Sequence, residues 1–364
     1  MKDKSNLLLC SKKNKKYLEE LDFVRAVSAI GIIVCHFGGE LYNYRIESEL
    51  RLLYTYNNGG WGWLLVTVFF VLSGSVLRIQ YASLNANDVF NFYKKRWISI
   101  FPAFYILWLF LHIQKASVNG SLLYNGNSVT LLFTLFGVDG YLSYKIPNYA
   151  LIGEWFLGAI VIIYLIYPFL LKIYNTNKWL LGVALIIALE IEIRYNLSIS
   201  TGPFRNITSC VLSFYLGMLY IDYRNSLYKY LEWTLVVSAI MCLLFFCAGS
   251  AIPISAVWQV HILGFFFFLI LCFIGYQVMN IKMVSRIMRW LSKISYHIFL
   301  VQHVAINEIL GIFRGRIFGV GMYIVILAVT IVWTIILSYV LLMVTAEGIK
   351  CVQHLKNHIA VKYS

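Results

Sequence analysis

Long apolar runs separated by short polar loops dominate the chain between residues 22 and 344. They recur at 22–39, 60–79, 97–114, 151–173, 178–194, 205–222, 230–248, 254–277, 290–310 and 318–344. Each is at or near the roughly 20 residues that an α-helix needs to cross a bilayer. A further apolar piece, 129–138, is too short to cross and runs into Gly137, Asp139 and Gly140, so it reads as re-entrant or interfacial. The pattern predicts an all-α, polytopic integral membrane protein with about ten transmembrane helices plus that one short segment. Residues 1–364 read as a single transmembrane domain, with a basic N-terminal segment at 1–20 and a tail at 346–364. The longest polar loops are 40–59, 80–96 and 115–150, and no internal repeat or low-complexity stretch is visible.

Composition points the same way. The 364 residues are 60% hydrophobic and 13% charged, about half the charge content of a soluble domain. A net charge of +14 would suit nucleic acid, but the basic residues are spread over short loops, as topology signals are. No nucleic-acid partner is expected; the lipid bilayer is. With the N-terminus inside, roughly three quarters of the 30 Lys and Arg residues fall on the inner side. Making 129–138 a full crossing would move every later loop across and weaken that bias. A multi-pass protein with both termini cytoplasmic is therefore expected. The seven cysteines form no CxxC pair and read as packing residues. The basic N-terminal stretch leads into a span too long for a signal peptide, so no cleavable signal is expected. His354 and His358, four apart in the tail, are too few for a site, and no metal is expected.

Arg25 and His36 carry the most informative chemistry. Both lie in LDFVRAVSAIGIIVCHFGG with ten residues between them. Eleven helical steps make about three turns, which places both side chains on one face, roughly 16 Å apart along the axis. An ionisable side chain in a membrane span is costly and usually functional, although a snorkelling arginine and a satisfied histidine would read alike. Other polar positions are more ambiguous. Ser73 and Gly74 suit either a cavity wall or close helix packing. Glu154 sits at the outer end of its span as a cap or a substrate contact. Tyr164 and Tyr167 read as structural, His112 and His261 as core or interfacial, and His297 is open between core and cavity. Loop 115–150, rich in Asn, Gly, Ser and Tyr, suits a hydroxyl-rich ligand or is an ordinary polar loop.

Five segments in order resemble the membrane-bound acyltransferase-3 family. LDFVRAVSAIGIIVCHF is similar to its first span, where an Arg or Lys is followed after ten residues by His. GGWGWLLVTVFFVLSGSVLR resembles its Gly-rich turn and FFVLSG, and FYKKRWISIFPAFYILW its basic loop running into a proline-containing helix. GEWFLGAIVIIYLIYP resembles its WFL…Y..YP span, and ISYHIFLVQHV its late SYxIYLxH span. Three positions depart from the pattern. Ser99 stands three residues after Arg96, where a second arginine is frequent. Ile160 stands where many members carry glutamate, and Gln302 stands at the late histidine position, with His303 next to it.

The resemblance implies transfer of an acyl group, usually acetyl, from acetyl-CoA made in the cytoplasm. The acceptor would be a hydroxyl of a cell-envelope glycan such as exopolysaccharide, O-antigen or capsule, or a lipid-linked oligosaccharide, at a bacterial plasma membrane. Arg25 with Lys94, Lys95 and Arg96 would hold the nucleotide phosphates of the acyl-CoA. His36 would be catalytic with Arg25, taking the acceptor's proton as a neutral imidazole or forming an acyl-histidine. Glu154, Trp155 and Ser73 are the expected substrate contacts. The alternative is a multi-span transporter or permease of envelope saccharide or its precursors, but no inverted repeat or pair of broken helices supports it. A polymerase or ligase would be expected to carry a large arginine-bearing outer loop, and 115–150 holds only Lys115 and Lys145 as basic residues.

Overall fold

A computed structural model describes residues 17–150, 152–197 and 202–362. The side chains of Glu154 and of residues 355–362 lie outside that description. The apolar runs all fold as helix: α1 (Glu19–Glu40), α2 (Trp61–Gln80), α3 (Ala86–Asn119), α5 (Glu154–Tyr195), α6 (Ile207–Lys229), α7 (Leu231–Ala248), α8 (Ala256–Val278), α9 (Lys282–Ile312) and α10 (Val320–Lys362). The short piece becomes α4 (Ser128–Leu135), started by a reciprocal pair of hydrogen bonds between Asn127 and Thr130. Its Val129, Leu132 and Phe133 remain exposed, as in a helix lying along an interface.

Among the described residues, seven helices are long and apolar enough to cross a membrane: α1, α2, α3, α5, α7, α8 and α10. The chain is thus a polytopic all-α membrane protein. The ten apolar runs map onto the helices with two qualifications. First, α5 carries two of the runs, 151–173 and 178–194. Asn177 breaks it with φ −155° and ψ 94°, and the Asn177 side chain accepts from Leu180 N at 3.0 Å to start the second rod. Second, α6 and α9 each carry a run as well, but are more polar than the seven. Asp222 and Arg224 interrupt α6, and His297, Gln302, His303, Asn307 and Glu308 interrupt α9. Both pack on inner helices, α6 on α2 and α9 on α1, where His297 and Gln302 are buried against protein. A difference from the expected loops is at 80–96, most of which folds as the start of α3.

Two contacts fix the inner helices. At the α2–α6 crossing, a Cβ on Gly74 would overlap the Phe214 carbonyl oxygen, and one on Gly217 would overlap that of Val71. Ser75 Oγ donates across this crossing to Gly217 O at 3.0 Å, the close approach that small residues permit. On α6, Asp222 gathers Arg78 Nε at 2.9 Å, Tyr174 Oη at 2.9 Å and Lys178 Nζ at 3.3 Å. This ties α2, both rods of α5 and α6 together. At the His36 end of α1, two-residue strands brace the loops. β1 (Glu47–Ser48) pairs in parallel with β4 (Ile317–Phe318), and β2 (Thr55–Tyr56) pairs antiparallel with β3 (Gly59–Gly60).

Candidate active site

A cavity of about 590 Å³ opens between α1, α2, α3, α5 and α9. Arg25 and His36 both line it, as do Ser73 and Trp155. Helical periodicity explains the pairing, because positions 25, 32 and 36 fall on one face of α1 and Ile32 also lines the cavity. The wall between the two ionisable ends is mostly apolar, with Ile32, Val66, Phe69, Ile100, Ile160 and Phe299 beside the hydroxyls of Ser295 and Tyr296.

Arg25 is held at its end by α9. Its Nη1 lies 3.4 Å from Ser292 Oγ and 3.8 Å from Asp22 Oδ1, and Ser292 Oγ in turn donates to Asp22 Oδ1 at 2.5 Å. Arg96 does not line the cavity. Its guanidinium carbon lies 5.8 Å from the ring of Tyr164, a lining residue, and its Nη2 donates to Gln80 Oε1 at 3.1 Å. A second cation therefore stands directly behind the wall near Arg25. Lys94 and Lys95 are exposed on α3 and are absent from the lining.

At the other end, the His36 ring meets His303 edge-on with centroids 4.4 Å apart. His303 Nδ1 is 3.7 Å from Glu40 Oε1, and Asn43 Nδ2 donates to Glu40 Oε2 at 2.8 Å. Beside them stands an aromatic wall. Trp63 stacks on Phe204 with centroids 5.1 Å apart and lies 5.8 Å from Trp155. The Arg205 guanidinium sits 5.3 Å from the Trp63 ring and 5.6 Å from that of Trp155. Glu154 opens α5 immediately before Trp155, but its side chain lies outside the described residues. Ile160, at the glutamate position of many family members, faces the cavity as an apolar group.

Several lining residues had no distinguishing signal in the sequence. Cys35, expected to be a packing residue, and Tyr164, expected to be structural, both line the cavity. Arg205, just before α6, also lines the cavity. His303 is drawn in by α9 from one residue beyond the family's histidine position. His297 is buried and does not line the cavity, and among the described residues neither of its ring nitrogens has a hydrogen-bond partner. His261 is a core residue, clamped between Ser209 Oγ at 2.6 Å and Ser213 Oγ at 2.8 Å. His112 is stacked on Trp108 at 4.7 Å. Among the described residues, no group of three or more His, Cys, Asp or Glu side chains is arranged to hold a metal ion.

Comparison with curated proteins and with solved structures finds no match. Comparison with protein families does: residues 18–343 match the acyltransferase domain of the acyltransferase-3 family. The match begins before Arg25, ends within α10 and takes in every helix that lines the cavity. A shared domain of that extent shows that the chain belongs to the acyltransferase-3 family and is a membrane acyltransferase.

Proposed function

We propose that the protein transfers an acyl group, in the first instance acetyl, from a coenzyme A thioester to a hydroxyl of an extracytoplasmic saccharide. One observation carries this reading: Arg25 and His36 line the same cavity, at opposite ends of one helix face. A phosphate-bearing donor fits the Arg25 end, where Arg96 adds a second cation behind Tyr164. Lys94 and Lys95, exposed on α3, would meet the nucleotide outside the cavity. The apolar midsection suits the pantetheine arm, which leaves the thioester near His36. His36 then takes the proton of the acceptor hydroxyl as its oxygen attacks the acyl carbon. The C–S bond breaks, and the proton passes to the departing thiolate. A covalent acyl-histidine would use the same geometry in two steps. Trp63 and Trp155 offer flat faces on which a sugar ring can stack, and Ser73 is a polar group on the same cavity's wall.

The donor is made inside the cell, so the Arg25 end and both termini are assigned to the cytoplasm of a bacterial plasma membrane, supported by the basic loops on that side. The direct experiment gives the purified protein in lipid nanodiscs radiolabelled acetyl-CoA together with envelope glycan. Mass spectrometry of envelope glycans from cells with and without the gene accompanies it. Label in the glycan and a mass difference of one acyl unit are expected. No label and no mass difference on any envelope component would overturn the reading.

A further inference from the structure

Beyond the groups that touch the substrates, we propose that His303, backed by Glu40, is the positioning residue that sets the His36 ring for proton transfer. The inference rests on the functional reading just given. A catalytic imidazole works only if its ring plane and tautomer are held, and a third group usually does this. Three contacts supply such a chain. The edge of one ring against the other at 4.4 Å restricts rotation of His36. Glu40 Oε1, 3.7 Å from His303 Nδ1, favours a proton on that nitrogen. Asn43 Nδ2, donating to Glu40 Oε2 at 2.8 Å, holds the carboxylate in place.

The sequence positions make the arrangement possible. His36 and Glu40 are four apart and so share a face of α1, and α9 packs along that helix. Ile298 and Ile294 of α9 are buried in one cluster with Ala29 and Ile33 of α1, which fixes the spacing of the two backbones. The family's histidine position falls on Gln302, which is 1% exposed. One residue later is a 100° turn of the helix, and that turn brings His303 to the His36 ring. When His36 takes the acceptor's proton it becomes a cation in a cavity with apolar walls. The carboxylate one residue removed lowers the cost of that charge.

The test uses the full chain in everted membrane vesicles, following radiolabel from acetyl-CoA into vesicle glycan. His303→Ala should lower kcat about 10- to 100-fold, leaving the KM for acetyl-CoA and the melting temperature unchanged. His303→Gln, which keeps a planar donor, should recover part of the loss. Glu40→Gln should lower kcat less, and should add nothing in the His303→Ala background. Wild-type kcat in His303→Ala overturns the proposal. So does a loss accompanied by a lower melting temperature that Gln does not rescue. The rate of His36 modification by diethyl pyrocarbonate, read by mass spectrometry, decides independently of turnover. It should change several-fold in His303→Ala, and an unchanged rate overturns the proposal. Failure of the wild type to transfer acetyl would instead overturn the functional reading.

Discussion

On the proposed function, His36 serves proton transfer and Arg25 donor binding, so their substitutions should separate kinetically. His36→Ala should reduce transfer by about 10²- to 10⁴-fold at an unchanged melting temperature. Arg25→Ala should mainly raise the KM for acetyl-CoA, by about tenfold, the worth of one charge-assisted hydrogen bond. Steady-state kinetics with a thermal melt on each variant checks both. Away from the cavity, Asp139 is buried beside α4, where Thr134 Oγ1 donates to its Oδ2 at 2.8 Å. Burial raises its carboxyl above the ordinary range, against the pull of the Thr134 and Gly140 hydrogen bonds. Folding therefore favours the protonated form. The stability this group contributes is full below the unfolded pKa and is lost as pH rises through the folded one. The melting temperature of Asp139→Asn relative to wild type should rise from about pH 4 to about pH 7. Arg25 and His36 were legible in the sequence because an ionisable side chain in an apolar run has few innocent explanations. Cys35, Tyr164 and Trp63 were not, since thiols and aromatic rings pack equally well against lipid, protein or a cavity. Only the rotation of each helix decides which.

The helices themselves were legible from their apolar runs, but their polar extensions and breaks were not. The first turns of α3 from Ala86 are amphipathic and lie beyond the apolar run, where a helix needs no continuous apolar cover. The junction at Asn177 looked like a loop and is instead a sharp break between two rods of α5. Two junctions make sharp predictions. Gly217→Ala drives a methyl into the Val71 carbonyl, so α2 and α6 must separate. A melting temperature lowered by several degrees and a reduced yield of monodisperse protein are expected, with the same for Gly74→Ala. Asp222→Ala leaves Arg78 and Lys178 without their shared carboxylate and should cost about 2 kcal/mol, measured by thermal melting in detergent. If Asp222→Ala melts with wild type, the network does not hold α5 to α2.

Seen whole, the molecule has two chemically distinct ends, and two exposed cysteines report them. Cys247 lies at the His36 end, where Asn57 Nδ2 donates to its carbonyl oxygen at 3.0 Å. Cys351 is exposed on the far part of α10. In single-cysteine variants, a membrane-impermeant maleimide should label Cys247 in intact cells and Cys351 only after lysis. The reverse pattern would invert the proposed orientation. The apolar midsection of the cavity has a further, electrical consequence. A bacterial plasma membrane stores energy as a voltage, and a water-filled passage joining Arg25 to His36 would discharge it. Ile32, Val66, Phe69 and Phe299 dominate the space between those ends, and the neutral hydroxyls of Ser295 and Tyr296 there are taken up by the carbonyls of Ser292 and Ile100, so a hydrated ion meets no charged partner. An acyl group, small and uncharged, does not need one. On the proposed function, the same wall that admits the transferred group would also insulate the membrane around it.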